Sequence, residues 1–204
     1  MNTLKLRPMT DTEIQYWYTT EFQKDFNPQE RKPLSYILSL KDSRCYDLLG
    51  LFQCPHEQML GYATIWKSID TDLLLLDYLG VSSNLRNKGL GSELLSLLKE
   101  YYKDRYIIVE SELPVPGDNV KENLIRERRI AFYKRNGFQA VYKMATCGMG
   151  WQALLLGALC PLAPSEITTL MHNHKTLYGP LRKDVKIPLE PKESLDMPYW
   201  IIEH

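Results

Sequence analysis

The sequence has no surplus of either charge, because 25 Lys and Arg residues balance 25 Asp and Glu residues. Bulk nucleic-acid binding usually requires a basic surplus, so we expect no nucleic-acid partner. Paired cysteines are also missing, since the four cysteines show neither Cys-x-x-Cys spacing nor a nearby histidine pattern. This excludes a recognisable zinc motif and predicts no metal site. Scattered thiols of this kind favour a cytoplasmic protein with reduced, mostly buried cysteines.

Long apolar runs are equally scarce. The longest near the C-terminus, residues 151–162, is shorter than the roughly 20 residues that span a bilayer, so we expect no membrane partner. Lys5 and Arg7 are not followed by an apolar segment, and no signal peptide is expected. Without repeats or low-complexity tracts, the chain predicts one domain over residues 1–178 and a Pro- and charge-rich tail, residues 179–204, packed on or flanking it. Monomer and homodimer both remain open.

Apolar periodicity predicts an alternation of strands and helices. The expected strands are residues 4–7, 46–54, 59–66, 73–81, 106–109, 138–144 and 151–159. The expected helices are residues 11–20, 34–41, 90–102, 121–135 and 165–178. Two buried strands flank the helix at residues 90–102, which predicts a βαβ unit with parallel strands. The fold class is therefore α/β (α+β), with a single mixed, mostly antiparallel sheet, a central parallel βαβ unit and helices on both faces.

The chain is organised around a short basic turn between the strand at residues 73–81 and the helix that follows. This glycine loop, residues 82–91, contains Arg86-Asn87-Lys88-Gly89-Leu90-Gly91. A helix N-terminus offers unpaired N–H groups and a positive dipole end, and glycines let an anion approach the backbone. A P-loop would need Lys-Ser/Thr after the second glycine, and a dinucleotide fingerprint would need a third glycine where Leu94 stands. The loop therefore predicts a phosphate site of another kind.

A second motif lies downstream, where Ile130-Ala131-Phe132-Tyr133 leads to Gly137-Phe138. With a hydrophobic strand ending in Val81 and the Arg-x-x-Gly-x-Gly turn, this arrangement resembles the GNAT family of N-acetyltransferases over roughly residues 3–160. The resemblance implies the acyl-CoA N-acyltransferase fold, acetyl-CoA as co-substrate, and transfer of its acetyl group to an amine. Arg126-Glu127-Arg128-Arg129 replaces the Asn-x-x-Ala run common in the family. This cluster is expected on a solvated helix face, with contact to the cofactor's 3′-phosphate as the alternative.

By this resemblance, acetyl-CoA is held by backbone and loop groups at the end of the strand. The implied cofactor-binding residues are Leu79, Gly80, Val81, Arg86, Asn87, Lys88, Gly89, Leu90, Gly91 and Ser92. Tyr133 occupies the motif position from which a phenol can stabilise the departing thiolate. Packing alone is the alternative role for Tyr133.

An alkyl ammonium, with a pKa of about 10, must lose a proton before it attacks a thioester. Asp77, Glu110 and Glu112, at or near strand ends, are the candidate general bases. Ordinary solvated charges are the alternative for the two glutamates, and a hydrogen-bonded role is the alternative for Asp77, which interrupts an apolar strand. His172 and His174 are expected to be exposed helix residues rather than metal ligands. The sequence thus predicts an acyl-CoA-dependent N-acetyltransferase with a small-molecule or peptide amine acceptor. The alternative is a non-catalytic acyl-CoA-binding or regulatory module.

Overall fold

The structure, a computed structural model, describes residues 3–26, 28–157 and 161–196. Its seven strands are β1 Thr3–Pro8, β2 Tyr46–Cys54, β3 Gln58–Lys67, β4 Leu73–Val81, β5 Tyr106–Glu112, β6 Gln139–Thr146 and β7 Met149–Leu156. The α-helices are α1 Asp11–Trp17, α2 Gln23–Asp25, α3 Leu34–Asp42, α4 Leu90–Tyr101, α5 Val120–Arg135 and α6 Pro164–Tyr178. A π-helical segment, Tyr18–Phe22, joins α1 to α2, and short 3₁₀ turns occupy Pro28–Glu30 and Ser83–Leu85.

The strands form one sheet in the order β1-β2-β3-β4-β5-β7-β6. The pairs β1/β2, β2/β3, β5/β7 and β6/β7 are antiparallel, and β4 and β5 are sheet neighbours connected by α4. This confirms the predicted fold class of a mixed sheet with helices and a central βαβ unit. The sequence did not predict that β7 lies between β5 and β6. In the β5/β7 pair, Glu110 is opposite Ala153.

Contacts within the chain divide it into two compact units. The first comprises Met1–Ile69 and Leu76–Asp104, and the second comprises Asp70–Leu75 and Arg105–His204. The core of the first unit is rich in aromatic rings. The centroid of the Phe22 ring lies 4.8 Å from that of Trp17 and 4.7 Å from that of Tyr78. The π-helical segment therefore places an aromatic side chain between these two rings. Thr10 and Glu13 form a reciprocal capping box that starts α1.

In the second unit, α5 contacts β5, β6 and β7, and α6 contributes the buried side chains of Leu170, His174 and Leu177. Its C-terminal segment is more integrated than a surface tail, because Lys186 pairs with Ala145 in an antiparallel bridge and both Asp184 and Val185 are buried. Arg182 forms a cation–π contact with Tyr178, in which its Cζ atom lies 5.1 Å from the ring centroid. The described part of the tail, up to residue 196, therefore contributes to the structure of this unit.

Several local expectations need correction. The last predicted strand begins at Met149 and ends at Leu156, and Leu159 lies outside the described residues. Cys45, Cys54 and Cys147 are free, as expected, but half-buried rather than buried, and Cys160 lies outside the described residues. Within the described ranges, no helix combines the length and apolar character that crossing a membrane requires.

Candidate functional site

The glycine loop of the first unit ends in a left-handed backbone turn. Asn87 has φ of +63° and Gly89, the N-cap residue of α4, has φ of +83°. A Cβ built on Gly89 would have no described atom within 4 Å, so open space lies in front of the turn. A left-handed backbone favours glycine, and glycine leaves that space free for a ligand.

The same turn exposes the N-terminal end of α4 without a side-chain cap. Ser92 and Glu93 donate their N–H groups to the Gly89 carbonyl, at 3.0 and 3.1 Å. The N–H groups of Leu90 and Gly91 precede these bonds, where helix geometry provides no intrahelical acceptor. Lys88 is exposed on the same turn. The loop therefore combines free donors, a helix dipole and a cation, which suits a pyrophosphate.

Arg86 has a partner that the sequence did not indicate. Its guanidinium forms an ion pair with Asp25, and its Nε donates to the Val81 carbonyl at 3.3 Å. Asp25 also accepts a hydrogen bond of 2.8 Å from the Tyr62 hydroxyl. The ion pair with Asp25 balances the Arg86 charge and links the loop to α2, and Lys88 is a second exposed cation on the loop.

Gly80 of β4 is required by packing within the first unit. A Cβ at this position would lie 2.3 Å from the Tyr62 ring, and a Cβ on Gly61 would lie 2.8 Å from the Gly80 carbonyl oxygen. Real Cβ atoms do not approach other atoms this closely, so β3 and β4 need glycine at both positions. Leu79, Gly80 and Val81 remain partly exposed, which leaves their backbone within reach of a ligand.

Asp77 lies in the middle of β4, not at the strand end where the sequence placed it. Both of its carboxylate oxygens lie 2.8 Å from the Lys32 ammonium, and the Tyr46 hydroxyl donates a short hydrogen bond to one of them. Burial would lower the pKa of Lys32, but the charge of Asp77 outweighs it and raises that pKa. Burial and the same carboxylate raise the pKa of Tyr46. Asp77 is thus engaged in a partly buried ion pair.

The two glutamates of β5 have different partners in the second unit. Glu112 lies 2.8 Å from Arg126 Nε, and Arg126 also pairs with Asp118 at 2.6 Å. Arg126 is therefore mostly buried and paired, in contrast to the solvated face predicted for the cluster, whereas Arg128 and Arg129 are exposed. Glu110 accepts hydrogen bonds of 2.6 and 2.7 Å from the Tyr178 hydroxyl.

Tyr133 of α5 packs between the rings of Phe132 and Phe138, with centroid distances of 5.2 and 5.4 Å. Burial raises the pKa of Tyr133 to about 12, and the positive charge of Arg129 opposes this rise. The phenol therefore keeps its proton at neutral pH and is available as a hydrogen-bond donor.

His174 was expected to be exposed and is fully buried, whereas His172, two residues earlier in α6, is exposed. His174 Nε2 lies 2.9 Å from Glu110 Oε1. The spacing of Leu170, His174 and Leu177 at i, i+4 and i+7 is the signal that would have placed the ring on the buried face.

The first unit also contains an open cleft of about 580 Å³. Its lining includes Glu13, Glu21 and Glu57 together with Tyr16, Phe52 and Met59. Arg7 pairs with Glu13 and Glu57, at 2.8 and 2.7 Å, while no described residue pairs with Glu21. A cleft with surplus acidic charge and aromatic walls suits a cationic organic ligand.

The sheet order and the uncapped glycine loop define an acyl-CoA N-acyltransferase fold. Residues 50–140 match the family model described as the acetyltransferase (GNAT) domain. Over these residues, a little under half of the chain, the protein is similar to this acetyltransferase domain. No curated protein matches the chain.

Solved structures support the same fold. A protein from Bacteroides thetaiotaomicron assigned to the GNAT acetyltransferases aligns with a TM-score of 0.64 and 23% identity, covering 86% of this chain and 99% of that one. The Escherichia coli ribosomal-protein-S18-alanine N-acetyltransferase aligns with a TM-score of 0.55 and 17% identity, covering 79% and 99%. Spermidine N-acetyltransferase from Vibrio cholerae, in complex with CoA and spermine, aligns with a TM-score of 0.57 and 8% identity, covering 75% and 94%. At these identities the similarity shows the fold alone.

Proposed function

We propose that the protein transfers an acetyl group from acetyl-CoA to a primary amine of a small molecule or peptide. The observation that carries this proposal is the left-handed turn at Gly89, which leaves open space before the uncapped N-terminus of α4. The N–H groups of residues 87–91 and the Lys88 ammonium would hold the pyrophosphate. The backbone of Leu79–Val81 would pair with the pantetheine amides as an additional strand does. The amine nitrogen attacks the thioester carbonyl and the C–S bond breaks. The nitrogen loses its second proton as the amide forms, and the departing CoA thiolate takes up a proton to become the thiol.

Glu110 is the base that we assign to the acceptor ammonium. Asp77 is neutralised by Lys32 and Glu112 by Arg126, so neither carboxylate is free to accept a proton without breaking an ion pair. Glu110 is instead held by the Tyr178 hydroxyl and lies beside an imidazole. A positioned carboxylate of this kind can accept a proton directly or through one water molecule.

Tyr133 is assigned to the departing thiolate. Its pKa of about 12 makes the phenol a poor proton donor to a thiolate, because an ordinary thiol has a pKa of about 8.5. A hydrogen bond from the phenol can still stabilise the charge that develops on sulfur. The role of Tyr133 is therefore electrostatic rather than acid catalysis.

The acceptor that the electrostatics favour is a cationic amine. Glu21 adds an unbalanced negative charge to the cleft of the first unit, and Tyr16 and Phe52 provide apolar walls. A protonated alkylamine or a lysine-rich peptide would gain both ionic and aromatic contacts there.

A free-thiol release assay with acetyl-CoA tests the proposal. The panel would contain diamines and polyamines, neutral-chain primary amines, and peptides with free amino groups, with acetyl-CoA affinity measured in parallel by calorimetry. Thiol release with cationic amines is the expected result. Binding of acetyl-CoA without thiol release across the panel would instead support a non-catalytic acyl-CoA-binding module. Absence of binding heat would indicate that the loop serves another phosphate ligand.

A further inference from the structure

A buried histidine lies beside the carboxylate that we assign as the base. His174 of α6 is 0% exposed, and its Nε2 lies 2.9 Å from Glu110 Oε1 of β5. The Glu110 side chain is 12% exposed, so one part of this pair reaches solvent while the other is enclosed. Neither the family match, which ends at residue 140, nor the two motifs include α6.

The two ring nitrogens of His174 are in different situations. Nδ1 lies 3.0 Å from the Tyr142 hydroxyl, a hydrogen bond in either direction, because the hydroxyl can donate or accept. Nε2 lies close enough to Glu110 Oε1, at 2.9 Å, for an ion pair. Its geometry does not give a hydrogen bond to any described residue. A buried polar atom without a hydrogen bond costs about 1–3 kcal/mol. Most buried polar atoms have a hydrogen-bond partner, so an unsatisfied Nε2 needs a physical reason. Proton exchange with the carboxylate beside it is such a reason.

The surroundings of the pair come from three elements of the second unit. Tyr178, one turn beyond His174 on α6, donates to both oxygens of Glu110. Tyr142 of β6 contacts the far side of the ring, and burial and the charge of Glu110 raise the pKa of Tyr142, so this phenol stays protonated. Arg182 of the tail lies over the Tyr178 ring. The hydroxyls orient the carboxylate and the ring without neutralising either one.

We propose that His174 is a positioning residue that serves as the proton partner of Glu110 in the acetyl transfer proposed above. The acceptor ammonium gives one proton to a carboxylate oxygen of Glu110, and the N–H bond of the ammonium breaks as the O–H bond forms. The proton then passes to His174 Nε2, which restores the carboxylate and produces an imidazolium. Nδ1–H donates to the Tyr142 oxygen, so both ring protons have partners. The amine keeps its electron pair for attack on the thioester.

The pair performs this task better than a carboxylate alone. A solvated carboxylate is a weak base at neutral pH, because it ionises at a pH about two units lower than an imidazole. An imidazolium beside a carboxylate is stabilised by charge and removes the proton from the reacting nitrogen. Burial of the ring keeps the exchange between two defined atoms.

The test compares His174→Gln with His172→Gln, a change of the same kind at the exposed histidine of the same helix. The pH profile of kcat/KM is measured for one cationic amine. In His174→Gln, we expect the acidic side of the kcat/KM profile to move to lower pH by about one unit or more. The reason is that a carboxylate alone then accepts the proton. The plateau should fall about tenfold or more, a typical contribution of acid–base catalysis, with the KM for acetyl-CoA within about twofold of wild type. His172→Gln should match wild type. An equal loss at every pH, without movement of the acidic side of the profile, would overturn the proposal.

A second measurement does not depend on turnover. In wild-type protein labelled at the histidine ring nitrogens, NMR should show that Glu110→Gln changes the signals of His174 and leaves those of His172 in place. Unchanged His174 signals would contradict the pairing. If the wild-type protein releases no thiol with any amine, the proposed function fails, while the NMR comparison still decides whether the two residues share a proton. The two proposals can therefore fail separately.

Discussion

The ammonium of Lys32 lies 2.8 Å from both carboxylate oxygens of Asp77 and close to the rings of two aromatic residues. Its Nζ is 4.9 Å from the Tyr78 centroid and 5.2 Å from the Trp66 centroid. The side chains of Lys32 and Asp77 are 21% and 13% exposed, so the charges are largely removed from water. This pair neutralises Asp77, which makes Glu110 the better candidate for the base.

Replacing Lys32 with Met should therefore destabilise the protein strongly. The change leaves Asp77 as a buried, unpaired carboxylate, which typically costs about 3–5 kcal/mol in the free energy of unfolding. Urea unfolding gives this quantity directly. The matched control is Lys41→Met, which removes a lysine whose partner Asp11 is 86% exposed. Such a surface pair should contribute less than about 1 kcal/mol. Equal effects of the two changes would show that the Lys32 pair is fully solvated in solution.

Adding a side chain at Gly89 should weaken acetyl-CoA binding. In Gly89→Glu, a carboxylate would occupy the space where the pyrophosphate is proposed to bind and would repel it. We expect the Kd to rise about tenfold or more, equivalent to 1.4 kcal/mol. Gly117→Glu is the control, because Gly117 has φ of +81° and equally open surroundings. Both variants carry the same charge and the same backbone strain, so calorimetry that gives equal affinities would contradict the assignment of the glycine loop.

Removing the hydroxyl of Tyr133 should slow turnover more than it weakens binding. Tyr133→Phe retains the ring contacts with Phe132 and Phe138 but loses the donor to the thiolate. We expect kcat to fall about ten- to hundredfold, as losses of single transition-state donors do. Steady-state kinetics would show little change in the KM for acetyl-CoA. Tyr106→Phe removes an exposed hydroxyl and should behave as wild type. Full activity of Tyr133→Phe would assign Tyr133 to packing alone.

Neutralising Glu21 should discriminate between amines. Glu21→Gln is expected to raise the KM of a cationic amine about two- to fivefold, because one partly solvated ion pair contributes up to about 1 kcal/mol. The KM of a neutral-chain amine should stay unchanged. Glu100→Gln removes a carboxylate on the exposed side of α4 and is the control. If Glu21→Gln leaves the KM of every cationic amine unaltered, the acceptor does not use this cleft.

Asp184 should make the stability of the protein depend on acid pH. Burial alone would raise its pKa, but hydrogen bonds from Arg182, at 2.8 and 2.9 Å, and from the Cys147 N–H, at 3.0 Å, outweigh it and lower the pKa to about 2. A pKa that is lower in the folded than in the unfolded state stabilises the protein above the unfolded pKa of about 3.8. This contribution, on the order of 2 kcal/mol, is lost as the pH falls through about 2.

The measurement is urea unfolding at several pH values across this window. Asp184→Asn should reduce the acid dependence of the free energy of unfolding, whereas Asp42→Asn, at an exposed position on α3, should preserve it. An unaltered slope in Asp184→Asn would mean that other carboxylates control acid unfolding.

Element order and the glycine loop were predictable because they depend on local properties of the chain. Apolar periodicity predicted the strands and the helices α1, α3, α4, α5 and α6 to within a few residues, but it did not predict α2 or the π-helical segment. The Asn-Gly pair at 136–137 marked the end of α5. Gly89 was identifiable because a left-handed helix start favours glycine over any residue with a Cβ. In each case the energy that selects the structure comes from residues within a few positions of one another.

The site's side-chain partners were not predictable in this way. Lys32 and Asp77 are 45 residues apart, Arg86 and Asp25 are 61 apart, and Tyr178 and Glu110 are 68 apart. A list of carboxylates therefore could not show which of them are neutralised. His174 was predicted to be exposed because helix histidines commonly are, although its spacing from Leu170 and Leu177 places it on the apolar stripe of α6.

The sequence by itself determined the fold class and the helix N-terminus suited to a phosphate, since both follow from backbone preference and apolar spacing. Only the tertiary structure decided that Asp77 and Glu112 are paired with cations, that Arg86 is balanced by Asp25, and that Glu110 lies beside a buried imidazole. The reason is physical. The availability of a charge depends on its partners and its contact with water, and folding sets both by bringing distant residues together.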